Sequence, residues 1–290
     1  MKPAAFEYLA PTSLDDALAA LSERGDEAKV LAGGQSLVPM LNLRLARPSV
    51  LIDINRLPDL AGIRADDGGV TIGALTRQRA LERSDLIAAR FPVLAAATAH
   101  VGHPAIRNRG TVGGSLAHGD PVSELPCVMV ALDARLVARS RSRERTIAAD
   151  GFFQTVFTTA LEPTEILVGV SVPALPSRTG WGFEELARRH GDFAIVGVAA
   201  LLSLGTDGAI TSARLAYAGV ADRPLRARSA EQALVGEKPS PAAFEAAARL
   251  AAQEIDPPSD LHATADYRRT VAGVLTRRAL VAAQTRAAEQ

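Results

Sequence analysis

The chain has 290 residues, 48% of them hydrophobic and 22% charged, the profile of a folded globular protein of about two domains rather than a disordered chain. Lys plus Arg and Asp plus Glu each number 32 and aromatics are 4%, so neither a basic excess nor a stacking platform marks a nucleic-acid binder. The single cysteine, Cys127, excludes an intramolecular disulfide and a four-cysteine iron–sulfur cluster within the chain.

Met1 to Glu7 lacks the apolar core of a signal peptide. The longest apolar run, from Ala194 to Leu202 and slightly beyond, is too short to span a membrane. The expected compartment is the cytoplasm, with peripheral attachment through a partner left open. Ser13 with Asp15 and Asp16 predicts a helix start, and Leu14, Ala17, Leu18 and Leu21 its apolar face. Lys29-Val30-Leu31 predicts a short buried strand running into Ala32-Gly33-Gly34-Gln35-Ser36. Residues 50–54 and 70–74 read as strands, and Thr76 as the cap of the next helix. Phe91 to Val101 predicts a buried helix ended by Gly102 and Pro104.

A second glycine run, Thr111-Val112-Gly113-Gly114-Ser115, follows. Leu125 to Leu132 is apolar enough for a buried helix or strand, and Cys127 within it reads as a buried structural thiol. Residues 134–147 alternate small or apolar residues with arginines, the pattern of a hairpin with one wet face; an anion or partner patch is the alternative. Residues 165–173 predict a strand, and Pro173, Pro176, Ser177 and Gly180 a linker. Beyond it, strands over 194–204 and 210–218 and helices over 241–253 and 264–283 predict antiparallel strands packed under helices.

The glycine runs carry the chemistry. A glycine pair lets backbone approach a ligand and adopt positive φ, and successive N–H groups in such a turn form an anion-binding concavity. Two such runs suit a diphosphate, hence a dinucleotide, with Gln35, Ser36, Thr111 and Ser115 as added neutral donors. Taken singly, each run also reads as a tight turn. Neither is a Walker A loop or a Rossmann G-x-G-x-x-G. His100 and His103 stand at helix spacing without a clear third ligand; His118 and His190 read equally as structural or cofactor-adjacent. No metal ligand set and no Ser-His-Asp triad is assigned.

Residues 29–39 resemble the first FAD pyrophosphate loop of the flavoprotein (medium) subunits of molybdenum hydroxylases, the family of aerobic carbon monoxide dehydrogenase and bacterial xanthine dehydrogenases. Residues 106–121 are similar to its second FAD loop, and the resemblance continues through 183–194 to Asp266-Tyr267-Arg268-Arg269. It implies an α+β fold: a PCMH-type FAD-binding domain over 1–176, with subdomains of about 1–56 and 57–176, then a smaller α+β domain over 177–290. It places the FAD diphosphate on Ala32, Gly33, Gly34, Gln35, Ser36 and Leu37 and on Thr111, Val112, Gly113, Gly114 and Ser115. Glu124 matches an acidic position near the nucleotide, and Leu167, Asp192 and Phe193 match positions near the isoalloxazine. Some relatives carry tyrosine at Phe193; phenylalanine covers a ring but donates no hydrogen bond.

The resemblance implies an oxidoreductase subunit that passes electrons from 2Fe–2S clusters of a small partner through FAD to an external acceptor. A large partner would hold the molybdenum–pterin, in a dimer of heterotrimers. No catalytic side chain is assigned to this chain. A self-contained FAD-dependent reductase on a related fold and a flavin-free scaffold subunit are the alternatives.

Overall fold

The structure, a computed structural model, describes residues 1–67 and 69–289. The first elements are β1 (Glu7–Leu9), α1 (Leu14–Arg24), β2 (Ala28–Leu31), α2 (Leu37–Asn42) and β3 (Val50–Asp53). They build a small parallel sheet in the order β1-β3-β2. Ser13 caps α1 by accepting from the Asp16 N–H, and Ala17, Leu18 and Leu21 pack into a core with Val50, Ile52 and Leu57. The strand foreseen at Lys29-Val30-Leu31 is present but only partly buried, because β2 is an edge of its sheet.

Next come β4 (Ile63–Ala65), β5 (Val70–Gly73), α3 (Gln78–Glu82), α4 (Asp85–Arg90), α5 (Pro92–His100), α6 (Pro104–Arg109), α7 (Val112–His118), α8 (Glu124–Ala131), β6 (Arg135–Arg139) and β7 (Glu144–Ala148). The short α9 (Ala149–Phe152), the pair β8 (Phe153–Thr155) and β9 (Thr158–Thr159), and β10 (Ile166–Val172) complete this half. Its antiparallel sheet runs β4-β5-β10-β6-β7. The segment left between helix and strand by its apolarity is α8, every residue of which is buried, Cys127 included. Thr76 does not cap α3. Its hydroxyl is held by Gly62 instead, donating to the carbonyl and accepting from the N–H, so α3 starts after Arg77 without a side-chain cap.

The arginine-rich segment is the β6–β7 hairpin. Arg143 pairs with Glu162, Arg145 Nε donates to Glu165 at 2.7 Å, and Arg139 pairs with Asp15, so three of its five arginines find acidic partners within the chain. The Arg145 hydrogen bond above all, with the Glu162 N–H and the arginine charges, outweighs burial and holds the Glu165 carboxyl below its ordinary range.

The last part consists of β11 (Thr179–Ala187), β12 (Ala194–Leu204), β13 (Ile210–Ala218), β14 (Leu225–Arg226), α10 (Arg228–Leu234), α11 (Pro241–Glu254) and α12 (Ala265–Ala288). The strands form an antiparallel sheet in sequence order. All of β12 is buried, since α12 covers one face and α8 reaches the other. The linker is shorter than its prolines and glycine suggest. Gly180 belongs to β11, and a Cβ there would lie 1.8 Å from the Ala283 carbonyl oxygen of α12. The glycine is present for close helix–sheet packing, not for a turn. Among the described residues no helix is long and apolar enough to cross a membrane.

Candidate functional site

The first glycine run follows β2 and the second opens α7, 75 or more residues apart in sequence, yet they touch. A Cβ on Gly33 would stand 2.5 Å from the Arg109 carbonyl oxygen and 2.8 Å from Gly110 Cα. One on Gly114 would meet Ala32 Cβ at 3.8 Å. Only bare backbone allows this approach.

The runs differ in local form. The first leaves β2 and turns at Gly34, whose φ is +73°, into α2. Among the described residues, the N–H groups of residues 33 to 37 donate to no protein acceptor. Unpaired N–H groups at a half-buried turn carry a cost that a bound anion removes. Gln35 folds back, its amide donating to the Gly33 carbonyl at 3.1 Å, and Ser36 is exposed at the mouth of the turn.

The second run was expected to be a similar turn and is not. Thr111 is the N-cap of α7 and its hydroxyl accepts from the Gly114 N–H at 3.1 Å. The Val112, Gly113 and Ser115 N–H groups donate to the carbonyls of Thr76, Ala74 and Thr111. Gly113 is required for packing, since a Cβ there would lie 2.4 Å from Ala74 Cβ. This run therefore offers surface and the Ser115 hydroxyl rather than a nest of free N–H groups.

A polar network fastens the pair. Asn55 donates to the Ala32 carbonyl at 2.7 Å and to Asp53 Oδ1 at 2.6 Å. Arg77 donates to Asn55 Oδ1 at 2.7 Å and to the Arg109 carbonyl at 2.6 Å. Tyr8 donates to Asp53 Oδ2 at 2.5 Å. Burial pushes the Asp53 carboxyl up, but the Tyr8 and Asn55 hydrogen bonds outweigh it and leave it below the usual carboxylate range. Neither Asn55 nor Arg77 stands out in the sequence. The only signal is Asp-x-Asn at the end of β3, an Asx-type turn directly across the sheet from the first run. A cavity of about 430 Å³ opens beside these two residues, lined also by Leu57, Pro58, Leu75 and Thr76.

The remaining expected residues lie on β10, on α8 and on the turn between β11 and β12. Leu167 is buried in β10, in the same apolar cluster as Leu116 and Val170. Its neighbour Val168 accepts from the Ala74 N–H, whose own carbonyl accepts from Gly113, so β10 lies one peptide from the second run. Asp192 and Phe193 sit on the turn between β11 and β12, and no hydrogen bond joins them to either glycine run. The Phe193 ring is 74% exposed. That turn rests against the preceding half: Gly191, at φ +88°, packs directly on the His103 ring. Nearby, His100 Nδ1 is 3.5 Å from Glu185 Oε1, and the His100 ring meets Phe183 and His190 edge-on. His100 and His103 thus serve packing between the two halves, and among the described residues no group of three or more ligating side chains gathers for a metal.

Glu124 opens α8 and is 8% exposed. Burial, reinforced by the Glu185 charge, pushes its carboxyl up to about 8. The unfolded chain releases that proton near pH 4.5 and the folded protein holds it to about 8. Across that window the folded state binds more protons, so stability falls as pH rises, by at most about 1.4 kcal/mol per pH unit. His100, raised by its hydrogen bond to Glu185, contributes stability that is likewise lost as pH rises through its folded value. Urea denaturation at pH 6 and pH 9 is expected to show the loss, and Glu124→Gln to remove most of it while leaving the His100 part. An unchanged slope in that variant would show that Glu124 is ionised in the fold.

The arrangement suits a ligand with a diphosphate: unpaired N–H groups on one run, a closely apposed second run, hydroxyls on both, and an exposed ring on a separate turn. Residues 4–175 match the family described as the FAD binding domain in molybdopterin dehydrogenase, and residues 181–283 match the CO dehydrogenase flavoprotein C-terminal domain. The chain is 44% identical over 287 residues to the 6-hydroxypseudooxynicotine dehydrogenase complex subunit alpha of Paenarthrobacter nicotinovorans, covering 99% of this chain and 97% of that one. It is 42% identical to the carbon monoxide dehydrogenase medium chain of Hydrogenophaga pseudoflava, covering 99% and 100%. A solved carbon monoxide dehydrogenase from Hydrogenophaga pseudoflava, lacking the Mo-pyranopterin moiety of its molybdenum cofactor, superposes with a TM-score of 0.96 at 44% identity, covering 99% of both chains.

Proposed function

We propose, from the premise that this chain belongs to the FAD-binding medium subunits of molybdenum hydroxylases, that it carries electrons from a partner's iron–sulfur clusters through FAD to an external acceptor. The chain is an oxidoreductase subunit of a multi-subunit dehydrogenase. The observation that carries the finer reading is the row of unpaired N–H groups at residues 33 to 37, set against a second run that only glycine lets approach.

In this reading residues 33 to 37 bind the diphosphate through backbone dipoles, with Ser36 and Ser115 as hydroxyl donors. Thr111, Val112, Gly113 and Gly114 form the opposite wall, and Ala32 and Gln35 hold the shape of the turn. Glu124, neutral at pH 7 in the flavin-free fold, presents a donor as well as an acceptor toward a ribityl or ribose hydroxyl. Leu167 contributes apolar support behind the second run, and Phe193 with Asp192 covers the flavin ring and excludes water. Bound FAD supplies a carrier that accepts electrons singly and delivers them in pairs. No side chain is asked to act as general acid or base.

The only cysteine is buried in α8, so the 2Fe–2S clusters come from a small partner subunit. The molybdenum–pterin belongs to a large subunit, which also selects the substrate. A dimer of such heterotrimers in the cytoplasm completes the proposal.

Purification with co-expressed partners, followed by a visible spectrum and cofactor release, tests it. Stoichiometric non-covalent FAD on this chain, with iron–sulfur absorption only when partners are present, is the expected result. A folded, colourless chain that cannot be reconstituted with FAD would overturn it.

A further inference from the structure

We infer that Asn55 and Arg77 are positioning residues that tie the two glycine runs together at a fixed separation, an inference that, for its consequence on FAD, rests on the reading above. The two runs are 75 residues apart in sequence at their nearest; the first follows β2 of the parallel sheet and the second opens α7 beside β5 and β10. Their contact is backbone on backbone at Gly33 and Arg109-Gly110, which excludes side chains but supplies no attraction of its own. The apolar core under the first sheet also takes in Leu75 and Ile166 of the second part, and at the runs themselves one continuous hydrogen-bonded path supplies the directional hold. Asn55 holds the Ala32 carbonyl with its amide hydrogens, and its carbonyl oxygen accepts from one Arg77 nitrogen. The other Arg77 nitrogen holds the carbonyl of Arg109, the same oxygen that stands over Gly33.

Each atom in the path has a single geometric role. Asp53, itself held by Tyr8, accepts from the Asn55 side chain and N–H and so sets the Asn55 amide orientation. The guanidinium is the element no other side chain reproduces: a planar fork reaches two acceptors in fixed directions, whereas an ammonium is a single point. A diphosphate held between the runs needs them preset at its own width, since ordering them on binding subtracts from affinity. The path is the device that presets them.

FAD titrations of the full flavin-depleted chain and amide exchange of the same chain without FAD test this. Asn55→Ala and Arg77→Ala are each expected to weaken FAD about tenfold, the scale of losing a hydrogen bond to a charged group. The double variant is expected to lose little more than Arg77→Ala alone, since both break one path. Arg77→Lys, which keeps the charge and serves should Arg77→Ala fold poorly, is expected to bind FAD as weakly as the alanine variant. Without FAD, Asn55→Ala is expected to speed exchange of the Val112 and Gly113 amides, which lie in the other subdomain and bond to Thr76 and Ala74. Additive losses, wild-type affinity in Arg77→Lys, or unchanged exchange at Val112 and Gly113 in Asn55→Ala would each overturn the inference. If the wild-type chain bound no FAD while exchange responded as expected, the tie would stand and the flavin reading would fall.

Discussion

Alanine at Gly33 is expected to weaken FAD binding at least a hundredfold while leaving the chain folded. The added Cβ would lie 2.5 Å from the Arg109 carbonyl oxygen, 2.8 Å from Gly110 Cα and 3.1 Å from the Arg109 carbonyl carbon. All three are backbone atoms of the two residues that lead into the opposite run, so no rotamer change relieves the clash. The runs must separate by roughly 1 Å, and a misplacement of that size at a preorganised site costs about two orders of magnitude. The fold absorbs the same displacement for about 1–3 kcal/mol, the usual cost of overpacking. Gly34→Ala is the informative contrast. Gly34 has φ +73° but its Cβ would meet only the ends of the Val38 and Leu31 side chains, at 3.1 and 3.3 Å. Its expected cost is about 1–2 kcal/mol of backbone strain, with FAD weakened far less than in Gly33→Ala. Fluorescence titration with FAD and thermal melting of both flavin-depleted variants give the comparison; equal affinities would show that inter-run spacing does not govern binding.

That contrast also marks how far the sequence was legible. The α1, α5, β6–β7, β12–β13, α11 and α12 elements follow from capping residues and apolar runs, and the fold class follows from the family resemblance of the glycine runs and the C-terminal segment. The two glycine runs announce a phosphate site, but equal spelling hides unequal structure. Gly34 serves a left-handed turn, Gly33 and Gly113 serve backbone contact, and the N–H groups after Thr111 are consumed by its own helix. Propensity reads the residue and not the neighbour it must clear, which also explains why Gly180 looked like linker and lies under α12. Thr76 had the right type to cap a helix and found a stronger use at Gly62, a contact fourteen residues away. Asn55, Arg77, His100 and Glu185 gain their roles from partners across sheets or between the halves of the molecule, and no local spacing encodes such partners.

Glu231→Ala is expected to be strongly destabilising, at about 3–5 kcal/mol, because it leaves the buried Arg226 with only the half-exposed Asp133 as a counter-charge. Glu231 Oε1 accepts from Arg226 Nε at 2.7 Å and from the Leu215 N–H at 2.8 Å, and Oε2 accepts from Arg226 Nη2 at 2.8 Å. Both side chains are more than nine-tenths buried. Arg226 also reaches Asp133, two residues beyond α8, at 2.6 Å, and Arg214 holds the other Asp133 oxygen at 2.9 Å. Asp133 is 41% exposed and retains solvent, so Asp133→Asn is expected to cost only about 1 kcal/mol. Removing Glu231 instead leaves two guanidinium nitrogens and a backbone N–H without acceptors in a place water does not reach. The double replacement Arg226→Met with Glu231→Leu is expected to be less harmful than Glu231→Ala alone, because no charge is then left unpaired. Urea denaturation at neutral pH measures all three. The same variants probe the assembly of the site, since this network joins the sheet that carries Phe193 to the helix that carries Glu124. Asp133→Asn is therefore expected to loosen FAD more than its small stability cost implies. A Glu231→Ala cost below about 1 kcal/mol would mean that water enters the network and that the two halves are held mainly by the apolar face of β12.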